Sequence, residues 1–469
     1  MSDIPRMEKV KAHYDAIAEN YDQWKAKNSY YYKIIRSFVK GNVAPYKSVL
    51  EIGCGAGEIL AATKPSRGVG IDISSRMVAI AREKYPALDF YESAVEDFTS
   101  DERFDYIVLV DIIDHVYDIM DVFDSIYKLC HPSTKIILTT INPWWDPVFK
   151  LAEKFEAKMP EGFHNFIEKR NITKILELTS FSVSYSGYLM LFPKYIPILS
   201  FLANTIGVRI WGLNKLSVVP YLMLQPTPVN NTDLGMGCSV VIPCHNEEGS
   251  IQEAIRRVPK MGKGTEIIVV NDGSTDSTAE KVRELEVEYP NLKLIDYSPN
   301  KGKGHAVQAG FAAAKHEVLM ILDADLSVLP EELPRFFDPL NKGLCRFANG
   351  TRLVYPMESQ AMRFLNNLGN KVFGLVMSFI TQQHLTDTLC GTKAFLKADY
   401  KHFKMGKDSW GDFDLLFGAA KMGLKIIEVP VHYKDRFAGT SKMNTFRHGF
   451  HLLGAVYKGF KELVFVADE

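Results

Sequence analysis

Twice along the chain, short apolar runs ending in glycine or aspartate alternate with amphipathic segments, and this double alternation limits the fold more than any other feature. The first series is "SVLEIG" (48–53), "GVGIDI" (68–73), "LDFYES" (88–93), "FDYIVLVD" (104–111) and "TKIILTTI" (134–141). Strands separated by helices predict a parallel sheet covered on its faces. Two later runs, "SFSVSYSGYLML" (180–191) and "LSVVPYLML" (216–224), are expected to pair antiparallel at the sheet edge, with an apolar insertion, 189–213, between them. A stretch rich in Pro, Asn and Gly, "QPTPVNNTDLGMG" (225–237), reads as a linker, after which the alternation restarts. The second series is "CSVVIP" (238–243), "EIIVVN" (266–271), "LKLIDYS" (292–298), "VLMILDAD" (318–325), "RFANGTRL" (346–353) and "KIIEVPVHY" (425–433). The expected organisation is two α/β domains, 1–227 and 238–469, joined by 228–237; a length of 469 residues fits two or three domains.

The formal net charge of −1 argues against a nucleic-acid binder. Six scattered cysteines without a C-x-x-C pair suit neither a disulfide framework nor a structural zinc site, so a reducing, cytoplasmic setting is expected. The charged N-terminus is not read as a signal peptide, and no uninterrupted apolar run reaches about 18 residues. The closest stretches, 189–213 and 364–380, carry cations and asparagines. They are read either as segments lying on a membrane or as core.

In "VLEIGCGAGEIL" (49–60), Gly53, Gly55 and Gly57 stand where a strand meets a helix, so backbone amides can approach a ligand. Asp72 ends the next strand, where a carboxylate can accept a ribose diol. The spacing is G-x-G-x-G rather than the dinucleotide G-x-G-x-x-G, and Glu51 precedes the turn. With "VGIDIS", "FDYIVLVDIIDHVYD" (104–118) and the leading "HYDAIAENYDQW" (13–24), these residues resemble the class I S-adenosylmethionine-dependent methyltransferases. The resemblance implies a Rossmann-like sheet. It places Glu51, Gly53 and Gly55 at the methionine end of S-adenosylmethionine, Asp72 on the ribose and Ile73 beside adenine. Asp111 would border the methionine chain, and Tyr14 and Tyr21 would belong to a lid. Ala94 stands where the family carries an acid that meets the adenine amine, so Glu92 or Asp97 substitutes or the contact is missing. His115 is a candidate base, although a lone histidine after a strand also serves structure.

In the second half, "SVVIPCHNEEGSIQEAI" (239–255) places Pro243, His245 and Glu247 at a strand end, and "EIIVVNDGSTDST" (266–278) places Asp272 beside them, with Ser274 and Asp276 as expected helix caps. Carboxylates on adjacent strand ends suit the donors of a nucleoside. Lys303, between Gly302 and Gly304 in "NKGKGHAVQAG" (300–310), starts a helix without a P-loop signature. Asp323 and Asp325 close "LMILDADLS" (319–327). On local sequence they are a turn or a two-carboxylate clamp for Mg²⁺ or Mn²⁺.

Together with "NGTRL", "DTLCGTKAF" (387–395), "WGDFDLL" (410–416) and "RFAGTSK" (436–442), these motifs resemble the inverting family 2 glycosyltransferases of GT-A fold. Among these the polyprenyl and dolichyl phosphate mannosyl- and glucosyltransferases are most alike. The resemblance implies a UDP- or GDP-linked sugar held by Pro243, His245, Glu247, Asp272, Lys303 and Asp323, and a metal on Asp323 and Asp325. Arg352, Arg363, Arg436 and Lys442 would meet donor or acceptor phosphate. A phosphate acceptor needs no strong base, whereas a sugar hydroxyl would call on Asp414 or Asp412. His245, Asn271 and Ser327 depart from the family pattern, which leaves base identity and metal ligation open. Asp387, Cys390 and Lys393 are alternatively loop organisers.

The amphipathic 360–384 segment and a tail with Phe446, Phe450, Leu453, Tyr457 and Phe460 at helical spacing are expected at a membrane surface. The combined expectation is a bifunctional enzyme, peripheral on the cytoplasmic face. It would transfer sugar to a polyprenyl phosphate or related lipid and methylate a sugar or lipid of the same pathway. A glycan or soluble acceptor, with the first domain a non-catalytic module, is the alternative.

Overall fold

The first series of apolar runs forms a seven-stranded sheet in the computed structural model, which describes residues 4–162, 164–355, 364–406, 411–437 and 445–464. Its strands are β1 (Ser48–Ile52), β2 (Arg67–Asp72), β3 (Asp89–Glu92), β4 (Phe104–Val110), β5 (Cys130–Thr139), β6 (Phe181–Tyr188) and β7 (Pro220–Pro226). Their spatial order is β3-β2-β1-β4-β5-β7-β6. The first five are parallel, and β7 runs antiparallel to both β5 and β6. Leu50 of β1 pairs with Val69 on one side and Ile107 on the other, and all three side chains are buried. Helices on both faces explain why these strands read as unbroken apolar runs.

The second sheet also has seven strands: β8 (Cys238–Cys244), β9 (Thr265–Asp272), β10 (Leu292–Tyr297), β11 (Val318–Ile321), β12 (Phe347–Thr351), β13 (Lys393–Leu396) and β14 (Ile426–Pro430). The order is β10-β9-β8-β11-β13-β12-β14, so β8 to β10 run consecutively on one side of β11, and on the other β13 lies between β11 and β12. Sequence patterning missed β13, which lies antiparallel between β11 and β12 and makes this sheet mixed. β11 stops at Ile321, paired with Lys393, earlier than the apolar run suggests. The chain then turns with Leu326 at φ 59°.

The chain divides into two compact units, Met1–Val229 and Asn230–Glu469. The expected linker is tied along the second unit rather than hanging free. Leu234 N and Met236 N donate to Asn341 O and Oδ1, each at 3.0 Å, and Asn230 Nδ2 donates to Lys342 O at 3.1 Å. Helices Phe364–Thr381, Asp412–Lys421 and Thr445–Gly459 share a small apolar core of Phe373, Met377, Phe413, Phe417 and Ala455. Phe460 packs against that core, whereas Leu453 and Tyr457 of the expected stripe are exposed. The side chains of Phe446 and Phe450 lie outside the described residues.

Candidate active sites

In the first unit, the turn after β1 forms one wall of a cavity of about 450 Å³, well within the range of small-molecule sites. Gly53 has φ 70°, and a Cβ there would come within 2.7 Å of Ile112 Cδ1, so glycine is required. Tyr14, Tyr21, Glu51, Gly53, Gly55, Asp72, Ile73 and Asp111 all line this one cavity, as does His115. Asp72 accepts the Gly55 N–H at 2.8 Å and the Ser74 N–H at 2.9 Å, which fixes its carboxylate at the end of β2. Glu51 is buried; desolvation pushes its pKa up to about 8, partly offset by the Leu60 N–H (2.9 Å) and by Lys25.

Asp111 has φ 54°, and its carboxylate accepts hydrogen bonds from Tyr31 Oη (2.6 Å) and Thr139 Oγ1 (2.7 Å). Tyr14 Oη lies 3.1 Å from His115 Nε2. Neither expected substitute for the missing adenine acid reaches the cavity. Glu92 instead forms an ion pair with Lys11, and Asp97 lies outside the lining; Glu96 is the acid that lines it. Sequence reasoning also missed Tyr31, Trp145, Phe149 and Phe192 in the lining. The run Tyr30–Tyr32 was the one available signal for the first of these.

In the second unit, polar residues gather where β8, β9 and β11 end. His245 Nδ1 lies 2.9 Å from Asp272 O. Asp272 accepts the Lys301 N–H at 2.7 Å and the Gly302 N–H at 2.8 Å, anchoring the loop that leads into helix Lys303–Ala313. Pro243 is the penultimate residue of β8, in register with Val270. Asp276, just ahead of helix Thr278–Glu286, accepts the Thr278 N–H at 3.1 Å, but Ser274 does not cap the helix. Its Oγ accepts the Asn246 N–H at 2.9 Å and donates to Asn271, lacing two loops together.

Two cations face the Asp-x-Asp turn. Lys303 Nζ lies 2.6 Å from Asp323 Oδ1, and Arg436 Nη2 lies 3.1 Å from Asp325 Oδ2. Arg436 Nη1 is also 3.9 Å from Glu247 Oε1, so one guanidinium links the β8 and β11 ends. Burial raises the Asp323 pKa, but the Lys303 ammonium beside it outweighs this and holds the carboxyl below its usual range. A Cβ at Gly391 would fall 2.1 Å from Asp323 Oδ2, so the residue before Thr392 shapes this pair, a role the sequence did not signal.

The expected phosphate ligand Arg352 has another partner. Its Nε and Nη2 form a buried bidentate pair with Asp387 at 2.6 and 2.9 Å, and its backbone N–H reaches the same carboxylate at 3.0 Å. Asp414 is likewise enclosed, ion-paired with Lys458, while Asp412 meets the fully buried Lys393 at 2.8 Å. Arg363 and Lys442 lie outside the described residues. Among the described residues no three His, Cys, Asp or Glu side chains converge as a closed metal cage. Two hard carboxylates on one turn still fit Mg²⁺ or Mn²⁺, which take one or two protein carboxylates and complete their shell with diphosphate and water.

A Rossmann-like unit with a glycine turn and acidic strand ends, followed by a GT-A unit with an Asp-x-Asp turn, defines a two-domain transferase. Residues 26–185 match the model of a methyltransferase domain, and residues 239–403 match that of glycosyl transferase family 2. The second half is 30% identical over 211 residues to a dolichyl-phosphate hexose transferase of Haloferax volcanii, covering 45% of this chain and 88% of that one. It is 30% identical to a dolichyl-phosphate β-glucosyltransferase of Trichomonas vaginalis (47% and 78%) and 31% identical to a dolichol-phosphate mannosyltransferase of Pyrococcus furiosus (44% and 59%). The chain belongs to glycosyltransferase family 2 and carries a methyltransferase domain ahead of the glycosyltransferase.

Proposed function

We propose that the second unit transfers a sugar, with inversion, from a UDP- or GDP-linked donor to a polyprenyl phosphate or related lipid. In this reading the first unit methylates a sugar or lipid intermediate of the same pathway. The observation that carries the sugar-transfer reading is the pairing of Asp323 with Lys303 and of Asp325 with Arg436 at one sheet end. Similarity to enzymes named for dolichyl phosphate supports a lipid phosphate acceptor. The acceptor phosphate oxygen forms the new bond to the anomeric carbon as the bond to the diphosphate breaks. That oxygen is already ionised at neutral pH, so no proton need be removed. Asp323 and Asp325 would hold Mg²⁺ or Mn²⁺, which supplies Lewis-acid stabilisation of the leaving diphosphate. Glu247 and Asp272 would orient the nucleoside, and Lys303 and Arg436 would balance the diphosphate charge as it grows.

In the first unit, Asp72 would take the ribose of S-adenosylmethionine, and Glu51 would face its methionine end. An acceptor hydroxyl oxygen would bond to the methyl carbon while the carbon–sulfur bond breaks with its pair on sulfur. His115, positioned by Tyr14, would take the hydroxyl proton.

We place the protein at the cytoplasmic face of a membrane, held peripherally. Among the described residues no helix is long and apolar enough to cross, and Leu453 and Tyr457 are exposed on the last helix. One incubation tests the whole reading: a nucleotide-sugar panel with Mn²⁺ and polyprenyl phosphate, with and without S-adenosylmethionine, read by mass spectrometry. A hexose-mass gain on the lipid and a further methyl gain with S-adenosylmethionine are expected. No hexose-mass gain on the lipid would overturn the lipid acceptor, and a missing methyl gain would overturn the methyltransferase.

A further inference from the structure

The connection between β6 and β7 is folded inside out. Two of its uncharged polar side chains turn inward: buried Ser200 donates to Lys194 O at 2.8 Å and accepts the Ile196 N–H at 2.7 Å. Asn204 Oδ1 accepts the Leu191 and Phe192 N–H groups at 2.8 and 2.9 Å, and its Nδ2 donates to Tyr30 Oη at 3.2 Å. The large apolar side chains point to solvent, with Ile198 75%, Phe201 63% and Trp211 85% exposed. These hydrogen bonds hold the segment with its apolar face outward. Contiguous exposed apolar surface of this kind marks a docking site rather than a loop in search of a core.

Charge selects the occupant. Between Glu177 and Asp233 the chain has no acidic residue, whereas Lys194 and Arg209 lie in the insertion and Lys215 just follows it. Lys215 Nζ sits 5.4 Å from the Trp211 ring centroid. Tryptophan with basic neighbours on an apolar face is the composition that suits the headgroup region of an anionic bilayer. Helix Asp146–Lys154 adjoins this segment, since Trp145 Nε1 donates to Leu216 O at 2.8 Å, and its Leu151 is 57% exposed. Val148 on that helix is half-exposed and, with Phe192 and Pro193, also lines the cavity of the first unit. The cavity and this apolar segment therefore share lining residues.

We infer that the 189–213 insertion seats the first unit on an anionic bilayer, so that the methyl acceptor enters from the membrane as a lipid-linked molecule. The acceptor class rests on the methyltransferase reading; the seating stands on the insertion alone. The test is flotation of the full chain with phosphatidylcholine vesicles, with or without one third phosphatidylglycerol. Wild type is compared with the triple variant Ile198→Asp, Phe201→Asp, Trp211→Asp, whose sites are exposed. Wild type should float with anionic vesicles, and the floating fraction of the variant should fall at least tenfold, with S-adenosylmethionine affinity by calorimetry within twofold. Equal flotation of the two proteins, or no flotation of wild type, overturns the seating. So does conversion of a wild-type dimer to a monomer by the triple variant with flotation unchanged, which would show a second copy on this face. In a second arm, label from methyl-tritiated S-adenosylmethionine should enter polyprenyl-phosphate hexose carried in vesicles. Label found only in free nucleotide sugar overturns the acceptor class, whereas failure of wild type to bind S-adenosylmethionine overturns the methyltransferase reading and leaves the flotation result standing.

Discussion

Lys303 Nζ lies 2.6 Å from Asp323 Oδ1, joining the first residue of one helix to the turn that follows β11. In the proposed function, the pair would set the charge of the sugar-transfer site before any donor arrives. Replacing the lysine leaves Asp323 without its cation and a diphosphate without compensation. Lys303→Gln should lower sugar transfer about 10²–10³-fold, with S-adenosylmethionine binding unchanged. A radiolabelled-donor assay beside calorimetry checks both.

Gly391 tests the same pair by shape alone. An added methyl would fall 2.1 Å from Asp323 Oδ2 and 2.8 Å from Lys303 Nζ. Gly391→Ala should displace the carboxylate and reduce kcat about 10²-fold, as misplacement near 1 Å does. The melting temperature should hold, because the clash is with side-chain ends rather than backbone. Steady-state kinetics and thermal denaturation separate the two effects.

The Arg352–Asp387 pair is assigned to stability. Its two side-chain contacts, at 2.6 and 2.9 Å, sit in the protein interior. Removing one partner strands the other, so Asp387→Ala should destabilise the second unit by about 3–5 kcal/mol. Urea unfolding followed by a probe in that unit measures it. If the guanidinium chiefly served phosphate, Arg352→Ala would leave the unfolding midpoint unchanged.

If the first unit binds S-adenosylmethionine as proposed, Glu51 should make that binding proton-linked. Burial, only partly offset by the Leu60 N–H and Lys25, raises its pKa to about 8, so the carboxyl is mostly neutral at pH 7. A bound S-adenosylmethionine, net positive, would favour the ionised form and pull the pKa down. Affinity should therefore rise as pH climbs from 6 to 8 and level off above, with about one proton released per cofactor bound at pH 7. Calorimetry in buffers of different ionisation heat reads the release, and Glu51→Gln should abolish it.

The two alternations of apolar run and helix were legible as two α/β sheets because strands buried on both faces have few alternatives. The cavity of the first unit was also legible, since a glycine turn and the strand end beside it lie close in any parallel sheet. β13 was not. It is four residues long, begins with a lysine, and becomes a strand only because β11 and β12 offer it ladders on both sides.

What the sequence determined by itself was the order of motifs, and through it the fold class and the strand ends where polar residues collect. Partner choice was decided only by tertiary structure. Arg352 and Arg436 are both basic and both follow strands, yet one is buried on Asp387 and the other bridges Asp325 and Glu247. Glu92, Glu96 and Asp97 lie within six residues, and only the direction of the chain after β3 brings Glu96 to the cavity. A charge is assigned by the nearest opposite charge and by the water removed around it, and both depend on segments far apart in the chain.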